Sequence, residues 1–320
     1  MVIMSATVPA PAVPVPGWAR AARHAKAYVS LSKPRIIELL LVTTVPAMIL
    51  AADGWPGLWL LAAVLFGGAM SAASANAFNS YIDRDIDAVM KRTSRRPLVT
   101  GAVSPRGALV YAWVLAVVST AWFVWPIGSP LAAALSVAAI LIYVVGYTII
   151  LKRRTSQNIV WGGAAGCMPV MIGWAAVTHS LGWAPVLLFL IVFFWTPPHY
   201  WPLSMRFRED YANAHVPMLP VVASPRRVSR EMIAYAVAMV AVTLALVPIA
   251  HMTWVYLAAA AAFGAWFLGG CIVLDRRIAR GEKKLREMRL FRDSITYLTV
   301  VSLAIVADPF ITDALTVWRH

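Results

Sequence analysis

A chain of 320 residues that is 61% apolar and 13% charged departs from a soluble domain, which is nearer half apolar and a quarter charged. The apolar residues lie in long runs, which excludes an ordinary soluble enzyme and a disordered chain. The formal charge of +14 falls between those runs rather than on one soluble face. That excludes a nucleic-acid binder and points to membrane lipid and a phosphorylated substrate as partners.

Residues 1–17 are rich in Pro, Ala and Val and lack the basic start of a signal peptide, so they read as a disordered tail. Residues 18–35 read as a basic interfacial helix carrying Trp18, Arg20, Arg23, Lys26 and Tyr28. A membrane span needs about 20 apolar residues. Nine candidates follow, at 36–52, 58–80, 107–125, 131–150, 158–177, 184–203, 232–250, 254–274 and 294–311. The predicted fold class is therefore an all-α integral membrane protein of nine transmembrane helices, with 36–320 as one intramembrane domain. Pro197, Pro198 and Pro202 predict a kinked or broken sixth helix. Cys167 and Cys271 sit inside apolar runs without a CxxC pattern, so no disulfide framework is implied.

Charge placement orients the chain. Five Lys or Arg precede the first span, six follow the second, three the fourth, five the sixth and eight the eighth. The loops after the odd-numbered spans carry none, and only Arg319 lies beyond the ninth. The positive-inside rule then predicts a cytoplasmic N-terminus, an outer C-terminus and chemistry on the cytoplasmic side. The setting is a bacterial-type cytoplasmic membrane.

The second span runs into Asn76-Ala-Phe-Asn79-Ser-Tyr-Ile-Asp83-Arg-Asp85-Ile-Asp87. Positions i and i+4 share a helix face, so Asn79, Asp83 and Asp87 form one stripe, with Asn76 a turn earlier. Oxygen ligands at this spacing suit Mg2+, which takes one or two carboxylates and is completed by waters and substrate phosphates. Polar groups reaching into an apolar span are costly and usually functional. Lys91, Arg92, Arg95 and Arg96 follow. Beside a metal site, such donors make a diphosphate clamp.

The sixth span ends in a second cluster with His199, Arg206, Glu209 and Asp210. Residues 199, 206 and 210 share a face if the helix continues. His199 lies at membrane depth and is the best candidate to touch a ligand; His215 and His179 are weaker. No Ser or Cys has a His–Asp pair, so covalent catalysis is not expected. Gly162, Gly163 and Gly166 read as close helix contacts, and most of the 14 Trp as membrane belts.

Three stretches in this order, NAFNSYIDRDIDAVMKRTSRRPLVTG, YTIILKRRTSQNIVWGGAAGCMPVMIGW and WTPPHYWPLSMRFREDYANAHVPMLPVV, together with SKPRI before the first span, carry a resemblance. The chain is similar to the UbiA superfamily of intramembrane prenyltransferases, and most to its haem-farnesylating branch. The resemblance implies nine helices around a central cavity open to lipid. It also implies transfer of farnesyl from farnesyl diphosphate to haem b, giving haem O and diphosphate in haem A synthesis. In that reaction a haem vinyl group attacks the farnesyl cation and water captures the product cation. It implies Mg2+ at Asn79, Asp83, Asp87 and Asp210, and diphosphate at Arg35, Arg92, Arg96, Lys152 and Arg153. Haem contacts fall to His199, Asn76 and Arg206, and the next enzyme of haem A synthesis is an implied partner. Arg206 stands where the wider superfamily often has the first acid of a second DxxxD, so a fully paired second metal site is not expected. Two competing readings remain: a prenyltransferase for a quinone or chlorophyll-type acceptor, and a transporter.

Overall fold

The computed structural model describes residues 17–317; residues 1–16 and 318–320, and the side chains at 20, 35, 36, 38–41 and 313–317, lie outside the described residues. Nearly all of the tail predicted over 1–17 and the side chain of Arg35 therefore fall outside them. Every described element is a helix. In order these are α1 (Gly17–Leu31), α2 (Pro34–Ala51), α3 (Leu58–Ile82), α4 (Arg84–Val89), α5 (Pro105–Val124) and α6 (Pro130–Leu141). A π-helical segment (Ile142–Leu151) continues α6 and is followed by α7 (Asn158–Thr178), α8 (Trp183–Arg206), α9 (Arg208–Asn213) and α10 (Leu219–Val222). The chain ends with α11 (Pro225–Ile249), α12 (Trp254–Ala279) and α13 (Glu287–Val317).

The helix starts follow from local chemistry. Ser104-Pro105, Ser129-Pro130 and Ser224-Pro225 each place a hydroxyl on a first-turn N–H, at Gly107, Ala132 and Arg227. Proline behind that cap needs no N–H of its own. Among the described residues, eight helices are long and apolar enough to cross a bilayer. The first predicted span falls on α2, whose described apolar stretch, Val42–Ala51, is shorter than a span.

Sequential helices pack in a ring: α2 on α3, α3 on α5, α5 on α6, α6 on α7, α7 on α8, α8 on α11, α11 on α12, α12 on α13, and α13 back on α2. Six segments, α2, α3, α6 with its π segment, α7, α8 and α13, wall a cavity of about 360 Å³. Helices α5, α11 and α12 back that wall from outside.

Three local departures from the sequence reading have physical causes. The helix predicted over 18–35 stops at Leu31, because Lys33 turns left-handed at φ 53° and Pro34 opens α2. A residue before proline is kept out of the right-handed helical region. Helix α8 is not broken at its prolines but runs unbroken through all three. Pro197, Pro198 and Pro202 are buried among neighbouring helices, and the Thr196 hydroxyl donates to Val192 O at 2.8 Å. Hydroxyls and packing of this kind satisfy the backbone that proline frees. Finally, α8 does not continue to Asp210; it caps at Phe207, so residues 199, 206 and 210 do not share one helix face.

The π segment depends on one glycine. A Cβ at Gly162 would lie 2.2 Å from Tyr147 Cδ2. Overpacking of that kind costs about 1–3 kcal/mol. Gly162→Val is expected to lower the thermal midpoint of the detergent-solubilised protein, while Gly269→Ala, with open space around it, leaves the midpoint unchanged. Size-exclusion after graded heating reads both.

Candidate active site

The Asn79–Asp83–Asp87 line survives the end of α3. Asp83 N–H donates to Asn79 O at 2.9 Å and Asp87 N–H to Asp83 O at 2.8 Å, so the helical i to i+4 spacing crosses the α3–α4 joint. All three side chains are buried, Asp83 completely, at 0% exposed. Buried carboxylates need partners. Lys152, at the end of the π segment, binds Asp83 Oδ2. Asn79 Nδ2 donates to the same carboxylate oxygen at 2.6 Å and to Thr148 Oγ1 at 3.1 Å. Arg96 NH1 donates to Asp87 Oδ2 at 2.6 Å. Arg153 forks onto Asp85, both contacts at 2.7 Å, and stands 3.7 Å from Asp83 Oδ1.

Of the residues assigned to the diphosphate, Arg96, Lys152 and Arg153 are therefore brought directly onto the acids. Arg92 reaches instead toward Tyr211 Oη at 3.4 Å, and Tyr211 bonds Tyr200 at 2.8 Å. Burial works against the Arg92 charge, but Tyr211, Tyr200, Asp87 and Asp210 face it and hold its pKa above the ordinary guanidinium value. Arg92 thus stands between the first acidic cluster and Asp210. Arg206 is exposed at the end of α8 and does not line the cavity. Among the described residues no ion pair joins Arg206 to Asp210.

The site also contains residues the sequence reading did not assign. Lys33 donates to Asn79 Oδ1 at 2.6 Å. Burial, and then the charges of Arg96 and Lys152, push its pKa well below the usual lysine range, with Asp87 and Asp83 opposing. Its left-handed backbone is the kind of local strain that clusters at functional sites. Tyr143 and Tyr147 stack at 5.5 Å on the π segment, and Tyr143 lines the cavity. Asn158 opens α7 and holds the Lys152 carbonyl at 3.2 Å. A π segment is a recurrent mark of functional sites, but its one-residue widening leaves no trace in an apolar pattern.

The apolar cavity begins at Asn76, one turn before Asn79 and about two turns before Asp83. Asn76 lines it and donates to Ser32 O at 3.0 Å. Gly162 and Gly163 admit Tyr147 and Thr196, the close contacts read from the sequence, and they line the cavity as well. His199 and Tyr200 face it from α8. His179 and His215 are exposed. Four tryptophans, Trp55, Trp125, Trp183 and Trp254, are exposed at or beside helix ends remote from the acids, as membrane belts require.

The donor set fits a hard cation. Asp83 Oδ1 is buried and accepts no hydrogen bond. Two carboxylates and an amide oxygen leave room for phosphate oxygens and water, which is how Mg2+ is usually held. Among the described residues no group of three or more His, Cys, Asp or Glu forms a full protein cage.

A family model described as the UbiA prenyltransferase family matches residues 40–309. A protein named protoheme IX farnesyltransferase from Clavibacter michiganensis subsp. michiganensis is 59% identical over 290 residues, covering 91% of this chain and 94% of its own. One of the same name from Streptomyces coelicolor is 58% identical, covering 89% and 91%. Another from Paenarthrobacter aurescens is 52% identical and covers 98% of both chains. Among solved structures, one concerning digeranylgeranylglyceryl phosphate synthase superposes with a TM-score of 0.74 at 15% identity, covering 89% of this chain and 98% of that one. A UbiA homologue from Archaeoglobus fulgidus bound to DMAPP and Mg2+ gives 0.59 at 16%, covering 88% and 99%.

Asp83 and its near neighbour Asp85 set a contrast. Asp83→Asn strips a buried charge pair, worth about 3–5 kcal/mol to break, and is expected to lower kcat/KM more than a hundredfold. Asp85→Asn breaks an exposed pair worth about 0–1 kcal/mol and is expected to cost less than about fivefold. Steady-state diphosphate release measures both. The hydrogen bonds from Arg153 hold the Asp85 carboxyl down at about 2. Its depressed pKa places that pair's contribution in full above the ordinary carboxylate value near 4, and it is lost as pH falls toward 2.

Proposed function

The chain belongs to the UbiA prenyltransferase family, and we propose that it transfers a farnesyl group from farnesyl diphosphate to a vinyl group of haem b, giving haem O and diphosphate in haem A synthesis. One observation carries the reading: an apolar cavity lined by Asn76 lies about two helical turns from a buried carboxylate pair that is already capped by cations. The names of relatives at 52–59% identity over most of the chain support haem as the acceptor rather than a quinone, and an enzyme rather than a transporter.

Asn79, Asp83 and Asp87 would hold Mg2+, with Asp210 across Arg92 as the acid of the second cluster. When bound, the metal neutralises charge on the departing diphosphate. Arg96, Lys152 and Arg153 lie on the acids and Lys33 on Asn79. They are placed to turn their donors onto phosphate oxygens once another cation takes over the carboxylates. Arg92 approaches from the opposite side, and Arg35 is assigned to the site's edge. The cavity wall of small and aromatic side chains excludes water from the allylic cation. Asn76 and His199, which both line the cavity, are assigned to haem. Arg206 is not retained there, because it lies exposed outside the cavity.

The charge distribution supports a bacterial-type cytoplasmic membrane, with the N-terminus and the acids on the cytoplasmic face and the C-terminus outside. Helix α1 would then lie along that face, with 36–320 as the catalytic domain and the product passed to the next enzyme of haem A synthesis.

Purified protein in detergent, given haem b, farnesyl diphosphate and Mg2+, is expected to yield farnesylated haem by mass spectrometry. EDTA and Asp83→Ala are expected to abolish it. Unmodified haem with prenylation of an aromatic acceptor would overturn the acceptor assignment.

A further inference from the structure

The sequence singled out His199 without assigning the state of its ring. Its two faces are covered by Trp195, at 4.0 Å and 14° between planes, and Phe291, at 4.6 Å and 26°. Nδ1 lies 2.7 Å from the hydroxyl of Ser294 on α13. That hydroxyl has one proton to give, and it donates it to Phe291 O at 2.6 Å. The serine oxygen therefore accepts from the imidazole. Nδ1 carries the ring proton and Nε2 carries the lone pair. With both faces and Nδ1 occupied, the ring edge that remains for the cavity is the one bearing Nε2. Trp195 Nε1 donates to the Ser294 carbonyl at 2.8 Å, so α8 and α13 are tied at the same residue.

Among the described residues no carboxylate, lysine or arginine lines the cavity; its polar lining otherwise comes from Asn76 and from Tyr, Thr and Ser hydroxyls. His199 is the single nitrogen base among the lining residues. The proposed reaction needs one. The allylic C–O bond breaks and its electron pair leaves with diphosphate. The vinyl π pair forms the new C–C bond and leaves a cation beside the porphyrin. Water then forms the C–O bond, and one proton must go from that water to an acceptor. Where no base is aimed at that water, the cation instead loses a carbon-bound proton to the departed diphosphate and becomes an alkene.

The geometry points to Ser294 as a positioning residue that holds His199 in its Nδ1–H form, so that Nε2 takes the proton from the water that ends the reaction. The inference rests on the haem reading above and adds a base and its orienting partner. Partners that fix a histidine tautomer cost about 10–100-fold when removed.

The test measures two products in one assay: farnesylated haem carrying the hydroxyl, and farnesylated haem lighter by one water. Wild type is expected to give the alcohol. Ser294→Ala and His199→Gln are expected to slow alcohol formation about 10–100-fold and to raise the lighter product's share. Ser294→Thr, which keeps the hydroxyl, restores the alcohol. An unchanged product ratio in Ser294→Ala would overturn the inference. So would a shifted absorption band of bound haem b in His199→Gln, which would make the ring an iron ligand. Absence of both products in wild type would instead overturn the parent reading, since the summed products report transfer and their ratio reports the base.

Discussion

A carboxylate with no exposed surface, inside a helix bundle built for a membrane, is the constraint around which this site is arranged. Lysine and arginine cations and the Asn79 amide converge there on Asp83. Each partner imposes a demand on the backbone. Lys152 arrives from the end of a π segment, whose Lys152 N–H bonds Tyr147 O, five residues back, at 2.8 Å. That segment needs Gly162 to clear space for Tyr147. Lys33 arrives from a left-handed residue wedged between α1 and α2 and satisfies Asn79 rather than the acid itself. A widened helix, a bare glycine and a strained lysine on three different segments thus converge on one charge.

The same arrangement explains how a charged substrate head enters a membrane-embedded site. The acids and bases neutralise one another while the site waits, so neither set is left bare in low dielectric. A metal–diphosphate brings both signs at once. The carboxylates would then hold the metal and the cations the phosphates, with little net change in buried charge. Asp83 Oδ1, which accepts no hydrogen bond and has the Arg153 guanidinium at 3.7 Å, is the point at which that exchange would begin without first breaking a hydrogen bond.

How much of this was legible in the sequence depends on the kind of signal. The bundle was, because apolar runs of about 20 residues and one-sided charge are one-dimensional quantities. Asn79, Asp83 and Asp87 were, because their i to i+4 spacing persists across the α3–α4 joint. Lys33 was not: it was counted among loop charges, and only its left-handed turn before Pro34 aims it at Asn79. Arg206 was placed on one face with His199 and Asp210 by extending α8, but the chain turns at Phe207 and removes that face. The three prolines suggested a kinked or broken helix, and the break is absent because neighbouring helices, which sequence does not show, compensate for the lost N–H groups. Ser294 lies 95 residues from His199, and nothing local marks it.

The reaction itself divides along the cavity. Ionisation belongs at the charged rim, where Lys152, Arg153 and Arg96 gather around the acids. The cation that follows must be kept from water until a new carbon–carbon bond exists, and then must meet one water. A charged base at the rim would draw solvent to the first step as readily as to the second. A neutral imidazole sandwiched between Trp195 and Phe291 does not, because its ring faces are covered and one nitrogen is already bonded. The separation of a wet, charged rim from a single shielded base sets the order of events without any moving part.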